Sequence, residues 1–244
     1  MPLVRPACPS LLPRAPAHGA LLACVVLGTV AGPAAAQPVD LQAELALASA
    51  LTDRGLAVFA PRPTLQLALG ASRGRWAVSL AASQRIGGSD QPRVAARLSH
   101  YRPLDDDWQL DAGLSWYTYP GEAYARAYDR VEAGGGLAWR DVLSIGLTAI
   151  DYRAWPGRRG GLQWALDLGL RWPIAGGWSA TASAGEADLP PYPQRRYRYG
   201  GLGLAWQSAG WRVELGRLGA DGTARRWLGA GAAARWSALV AKNF

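Results

Sequence analysis

The chain runs to 244 residues, carries 26 basic against 18 acidic side chains, and holds two cysteines, Cys8 and Cys24, both near its start. Every basic residue except Lys242 is arginine, and the arginines are interspersed with acids rather than gathered in a stripe, which argues against nucleic-acid binding. Coding bias toward GC-rich codons is the simpler source of a chain rich in Ala, Arg and Gly and poor in lysine.

Residues 1–36 hold Arg5 and Arg14, an apolar run over 20–30, and Gly32-Pro33-Ala34-Ala35-Ala36 ahead of Gln37. A basic start, a short hydrophobic centre and an Ala-x-Ala site make a cleaved secretory signal. The run is well short of the roughly 20 apolar residues of a spanning helix. Leu21-Leu22-Ala23-Cys24 resembles a lipoprotein cleavage box, but too few apolar residues precede Cys24 and more follow it. Cleavage leaves residues 37–244 as one domain with 24 basic and 18 acidic residues, a net charge of +6, and no thiol. That removes disulfides, thiolate metal sites and cysteine nucleophiles.

From residue 39 onward apolar and polar side chains alternate at period two, the pattern of strands with one greasy face. Residues 39–49 set Val39, Leu41, Leu45 and Leu47 against Asp40, Gln42 and Glu44, and residues 64–72 set Leu65, Leu67 and Leu69 against Thr64 and Gln66. A tight turn with Gly74 leads to Trp76, Val78 and Leu80. After a loop at 87–92, Val94, Ala96 and Leu98 alternate with Arg93 and Arg97. Residues 108–119 place Trp108, Leu110, Leu114 and Trp116 on one face and Gln109, Asp111 and Ser115 on the other. In 130–139, Val131, Leu137 and Trp139 oppose Arg130 and Glu132.

Residues 142–152 follow with Leu143, Ile145 and Leu147. The clearest strand is 162–172, with Leu162, Trp164, Leu166, Leu168, Leu170 and Trp172 on one face and Gln163, Asp167 and Arg171 on the other. Residues 178–185 form a weaker strand. Pro190, Pro191 and Pro193 make 187–196 a loop, because proline cannot sit in a central strand. Residues 197–207, 211–218 and a last strand within 231–244 complete twelve.

Such spacing says sandwich or barrel, and three features select the barrel. Connections alternate: brief at 72–75, 103–107, 140–141, 173–177 and 208–210, longer at 51–63, 87–92, 120–129, 154–161, 187–196 and from 219 to about 230. An even number of antiparallel strands with short periplasmic turns and longer extracellular loops is the plan of a bacterial outer-membrane β-barrel. Trp76, Trp108, Trp139, Trp172, Trp178, Trp206 and Trp211 all adjoin the brief turns and are expected as an aromatic girdle at the periplasmic interface, with Trp116, Trp155, Trp164 and Tyr119 toward the other interface. Finally, Trp236, Ala238 and Val240 lead at two-residue intervals to Phe244, resembling the terminal strand that barrel-assembly machinery reads; Lys242 interrupts the series.

Leu51-Thr52-Asp53-Arg54-Gly55 followed by Arg62-Pro63-Thr64-Leu65-Gln66 resembles the opening of the Gcw_chp family of bacterial conserved hypothetical proteins. Members carry an acidic-aromatic-Arg-Gly corner and a Pro-x-x-Gln strand. Thr52 and Asp53 stand where the aromatic is expected, so the resemblance is to a divergent member. It implies an outer-membrane barrel and brings no catalytic residues.

The residues themselves point to no enzyme and no cofactor. His100 is the only histidine after the signal; its neighbour Ser99 points to the opposite strand face, so a local Ser-His pair cannot form. Asp105-Asp106-Asp107 lacks the spacing and glycine of a calcium loop. Gly134-Gly135-Gly136 lies within a strand with no helix after it, which is not a phosphate loop.

Charges opposite the apolar rows are more informative. Glu44, Arg97, Asp111, Arg130, Glu132, Asp167, Arg171, Arg212 and Glu214 are expected to point into the lumen. A mixed lumen has two readings, a narrow pore for small polar or anionic solutes with arginines setting selectivity, or charges interlocked across a small barrel so as to close it; a narrow or closed lumen is expected, because acids and bases nearly balance and no long segment is available as a separate plug. The expectation is therefore an all-β, single transmembrane antiparallel barrel of about twelve strands in a Gram-negative outer membrane, partnered by lipid and by the assembly machinery. A porin-like channel is the first functional reading, a closed structural or surface-interaction barrel the second, and a lipid-modifying barrel enzyme the third.

Overall fold

The computed structural model describes residues 38–58, 61–87, 92–121, 125–152, 162–189 and 192–244; the expected signal over 1–36 and Trp155 lie outside them. Twelve antiparallel strands close on themselves. In chain order the wall consists of β1 (Asp40–Ala48), β4 (Thr64–Arg73), β5 (Trp76–Arg85), β6 (Arg93–Pro103), β7 (Trp108–Thr118) and β8 (Arg130–Trp139). It continues with β9 (Leu143–Asp151), β10 (Gln163–Pro173), β11 (Trp178–Leu189), β12 (Tyr192–Ser208), β13 (Trp211–Ala220) and β14 (Arg235–Asn243). Each strand pairs with its neighbour in sequence, and β1 pairs with both β4 and β14, so no edge is left open.

Register explains the two faces. In β9, β10 and β11 the rung Leu147, Leu166, Glu186 is followed by Ile145, Leu168, Ala184 and then by Leu143, Leu170, Ala182. These rows point outward, and the leucines on them are 40–52% exposed. The alternate rungs carry Ala165 and Gln163, at 1% and 0% exposed. A soluble sandwich hides its leucine face; here the leucine rows of the wall are outside and most buried residues are small, polar or aromatic.

The brief connections are tight. Arg140 and Asp141 have φ of 49° and 58°, and Ala209 and Gly210 have 47° and 78°. Two successive positive φ values make the turn whose twist matches that of the strands it joins. Asp107 and Arg140, from adjoining turns, lie 2.5 Å apart, and the guanidinium holds the Asp107 carboxyl below its usual range.

The long connections depart from expectation in three places. The segment expected as loop over 187–196 is largely strand: β11 reaches Leu189 and β12 starts at Tyr192, with a register shift between Asp188 and Leu189. Pro193 falls in the stretch of β12 before Tyr199, which pairs with β11 and not with β13, and an edge position of this kind tolerates proline; Pro190 and Pro191 lie outside the described residues. The last loop contains α1 (Gly222–Leu228), its N-terminus capped by the Asp221 carboxylate, which accepts from the Thr223 and Ala224 backbone N–H groups at 2.9 and 3.1 Å. The first loop holds a miniature hairpin, β2 (Thr52–Asp53) and β3 (Leu56–Ala57). Among the described residues no helix is long and apolar enough to cross a membrane.

Candidate functional site

The hairpin of β2 and β3 turns inward. Its tip has Arg54 and Gly55 at φ 45° and 77°, the pair of positive angles that a two-residue hairpin turn requires and that glycine accepts without cost. A Cβ on Gly55 would lie 2.6 Å from Cβ of Tyr199 and 2.7 Å from the Gly219 carbonyl oxygen, so the tip is seated directly against β12 and β13. Leu56 packs on an apolar cluster that includes Ile150, Tyr152, Leu189, Tyr197 and Tyr199. The sequence offers no long segment as a separate plug, and none is needed: six residues suffice, because a hairpin needs only its tip to reach the far wall.

Charge locks the tip in place. Arg54 donates from both terminal nitrogens to the two Glu132 carboxylate oxygens, each at 3.1 Å, and its Nε lies 3.5 Å from Asp167. Arg130 donates to Asp53 at 2.6 Å, to Glu132 at 2.6 Å and to the Tyr119 hydroxyl at 3.1 Å. Tyr197 donates its hydroxyl proton to the Arg54 carbonyl oxygen at 3.2 Å, and the Tyr199 hydroxyl donates to Asp167. Two guanidinia therefore meet three carboxylates across the barrel, drawn from β2, β8, β10 and the tip itself. Burial opposes the Arg54 charge, but Glu132, Asp53 and Asp167 overcome it and hold its pKa well above the ordinary arginine value. Tyr117 lies under the Arg130 guanidinium, 4.1 Å from ring centroid to charge.

The other inward charges form separate groups nearer the turn end. Arg212 bridges Glu44 of β1 at 2.8 Å and Glu214 of its own strand at 2.9 Å. Arg97 faces Asp111 at 3.9 Å and donates to Ser99 at 2.8 Å. Arg171 reaches Gln207 at 3.4 Å and Ser179 at 3.5 Å. Side chains at this level are accessible, with Arg97 34% and Asp111 30% exposed, whereas Arg54 and Glu132 at the hairpin are 13% and 9% exposed. The lumen is an accessible, charged vestibule at the turn end and a packed plug at the loop end.

Of the sequence-derived candidates, Arg130, Glu132 and Asp167 are brought together, Glu44, Arg212 and Glu214 are brought together, and Arg97 joins Asp111. Sequence reading missed the aromatic ring around the plug, Tyr117, Tyr119, Tyr152, Tyr197 and Tyr199. Tyr119 was expected at the outer interface; it is 1% exposed and inside the barrel. Its odd-numbered position on the β7 rows was the available signal, since Tyr117 and Tyr119 share the parity of Asp111 rather than of Trp116. Arg93 was also missed: it is fully buried, and among the described residues none of its three guanidinium nitrogens has a hydrogen-bond partner. Its guanidinium lies 5.9 Å from the Tyr117 ring centroid.

On the outside, Trp76, Trp108, Trp172, Trp178 and Trp211 are exposed beside the brief turns, and Trp139 and Trp206 are half-buried against their rung partners Trp108 and Trp178. Trp116, Trp164 and Trp236 are exposed toward the loop end. Phe244 is exposed, and its backbone N–H donates to the Ala43 carbonyl oxygen at 2.9 Å. His100 stacks edge-on against Trp76 on the outer face, centroids 4.6 Å apart, while Ser99 faces inward to Arg97. Among the described residues no three His, Asp or Glu side chains gather as a metal site.

No family model and no curated protein matches the chain. Solved structures do. A KdgM porin superposes with a TM-score of 0.54 at 10% identity, over 83% of this chain and 99% of the porin. A KdgM porin in complex with disordered oligogalacturonate gives 0.54 at 10% identity, over 84% of this chain and 98% of that one. A NanC porin gives 0.53 at 12% identity, over 84% and 99%. The chain has the closed antiparallel barrel fold of these porins.

Proposed function

We propose that the protein is a narrow porin-like channel of a Gram-negative outer membrane, with turns toward the periplasm and loops outside, and that the β2–β3 hairpin sets its bore. The observation that carries this reading is the division of the lumen into an accessible charged vestibule and a single plug fastened by side chains rather than by wall strands. A plug held by ion pairs leaves a path when it shifts, without any change in the wall.

Small polar solutes suit a vestibule lined by both signs of charge. Fold likeness to KdgM, one structure of which holds an oligogalacturonate, supports uronate-type sugar acids as the first solutes to test. The resemblance of the plug segment to the Gcw_chp corner is consistent with the same architecture. Residues 1–36 would serve as its export signal and the strand ending at Phe244 as its assembly signal.

The test is conductance in planar bilayers. Discrete channels that pass small organic anions and exclude larger oligomers are expected. A barrel that is silent at every voltage, in wild type and in plug variants alike, would instead be a closed structural or surface-interaction barrel. That second reading draws on the near-complete burial of Arg130 and Tyr117, at 4% and 1%.

A further inference from the structure

One charge on the outer surface is at odds with its surroundings. Arg217 of β13 occupies the outward row, level with Leu202 of β12 and Trp236 of β14. Those neighbours are 73% and 68% exposed, among the most open apolar side chains of the wall. Arg217 is itself exposed, and among the described residues no hydrogen bond or ion pair engages its side chain. Since Trp236 is the second residue of β14, this rung marks the loop-end margin of the apolar band.

Further toward the loops on the same outward row of β12 stand Arg198, 79% exposed, and Arg196, 67% exposed. Both share the Glu186 carboxylate, at 3.0 and 3.6 Å, and Arg196 also reaches Asp188 at 3.4 Å. Exposed Arg225 and Arg226 lie on α1, which packs on β12 and β13. Asp221, the remaining acid here, is occupied in capping that helix. Positive charge is therefore in excess along this sector.

The rung between Arg217 and Arg198 consists of Ala184, Gly200 and Gly219. No long side chain separates the two guanidinia, and at about 3.3 Å per residue Arg198 lies about 13 Å along the strand from the Arg217 rung.

We propose that this sector binds the phosphorylated headgroup of an outer-leaflet glycolipid. Arg217 takes one phosphate at the edge of the hydrocarbon, Arg198 takes a second beyond the bare glycine rung, and the acyl chains lie on Leu202 and Trp236. Guanidinium and phosphate pair through two parallel N–H to O bonds, and an arginine stem reaches from apolar surface to a charged interface. A free phosphate would use the charges but not the apolar neighbours, so the ligand is a lipid. The inference rests on the outer-membrane reading above, and that reading is checked first: the folded protein must require detergent and show heat-modifiable gel migration before lipid is added.

The binding test is native mass spectrometry of the full mature chain in detergent, titrated with bis-phosphorylated lipid A, with its dephosphorylated form, and with inorganic phosphate. Lipid A is expected to bind about tenfold more tightly than the dephosphorylated lipid, with inorganic phosphate not retained. Arg217→Leu and Arg198→Leu are each expected to weaken lipid A binding about fivefold or more. Arg102→Leu, which removes an exposed arginine on an outward row at the turn end, is expected to leave it unchanged. Equal binding of the two lipids, absence of lipid binding, or unchanged binding in Arg217→Leu with heat-modifiable migration retained would each overturn the proposal.

Discussion

Arg54 and Glu132, 78 residues apart in sequence, meet through two parallel hydrogen bonds of 3.1 Å inside the barrel, one from the tip of a loop hairpin and the other from the wall. Removing Arg54 leaves Glu132 with Arg130 alone, and removing Glu132 leaves Arg54 with Asp167 as its carboxylate neighbour; breaking a comparable buried pair costs about 3–5 kcal/mol. Arg54→Ala is therefore expected to release the plug. Single-channel conductance should rise severalfold over wild type, while heat-modifiable migration shows the wall intact. Conductance no higher than wild type would show that the hairpin does not set the bore.

Gly55→Ala tests the seat rather than the charge. A left-handed backbone costs a side-chain-bearing residue about 1–2 kcal/mol, and the added Cβ has no room against Tyr199 and Gly219. The variant should reproduce the conductance increase of Arg54→Ala with every ion pair still available. Wild-type conductance in Gly55→Ala would separate the plug from the turn geometry assigned to it.

Arg212 holds two carboxylates, Glu44 and Glu214, that would otherwise face each other in the vestibule. Arg212→Gln is expected to destabilise the barrel by about 1–3 kcal/mol in urea unfolding from lipid vesicles. It should also move the reversal potential in a salt gradient toward cation selectivity. A shift toward anions would contradict a lumen position for this cluster.

Arg93 presents the opposite case, a buried guanidinium with no hydrogen-bond partner among the described residues. A buried charge carries a desolvation penalty that no hydrogen bond offsets here, so an apolar side chain of similar length in its place is expected to be neutral or stabilising. Arg93→Met is expected to hold or raise the unfolding midpoint. A fall of more than about 1 kcal/mol would show that Arg93 is energetically engaged in the folded protein.

The wall was legible because a strand writes its two faces into the sequence directly. Leu162, Trp164 and Leu166 against Gln163, Ala165 and Asp167 require no knowledge of neighbours to be sorted, and the same holds for most of the wall; β11, with alanines and hydroxyls on its faces, is the weakest case. The tip of the plug was half legible: Asp53-Arg54-Gly55 has the composition of a tight turn, but it was read as a connection. Pro193 misled, since proline is barred from a central strand and not from a stretch of strand paired on one side only.

By itself, then, the sequence determined an even set of antiparallel strands, which side chains share a face, and which ends carry brief turns, since period two and turn chemistry act between near neighbours. Only the tertiary structure decided that Arg54 meets Glu132, that the five tyrosines ring the plug, and that Arg217 lies between Leu202 and Trp236. Those contacts depend on closure of the barrel and on the register of each strand against the next, and a pattern of period two is the same in every register two residues apart.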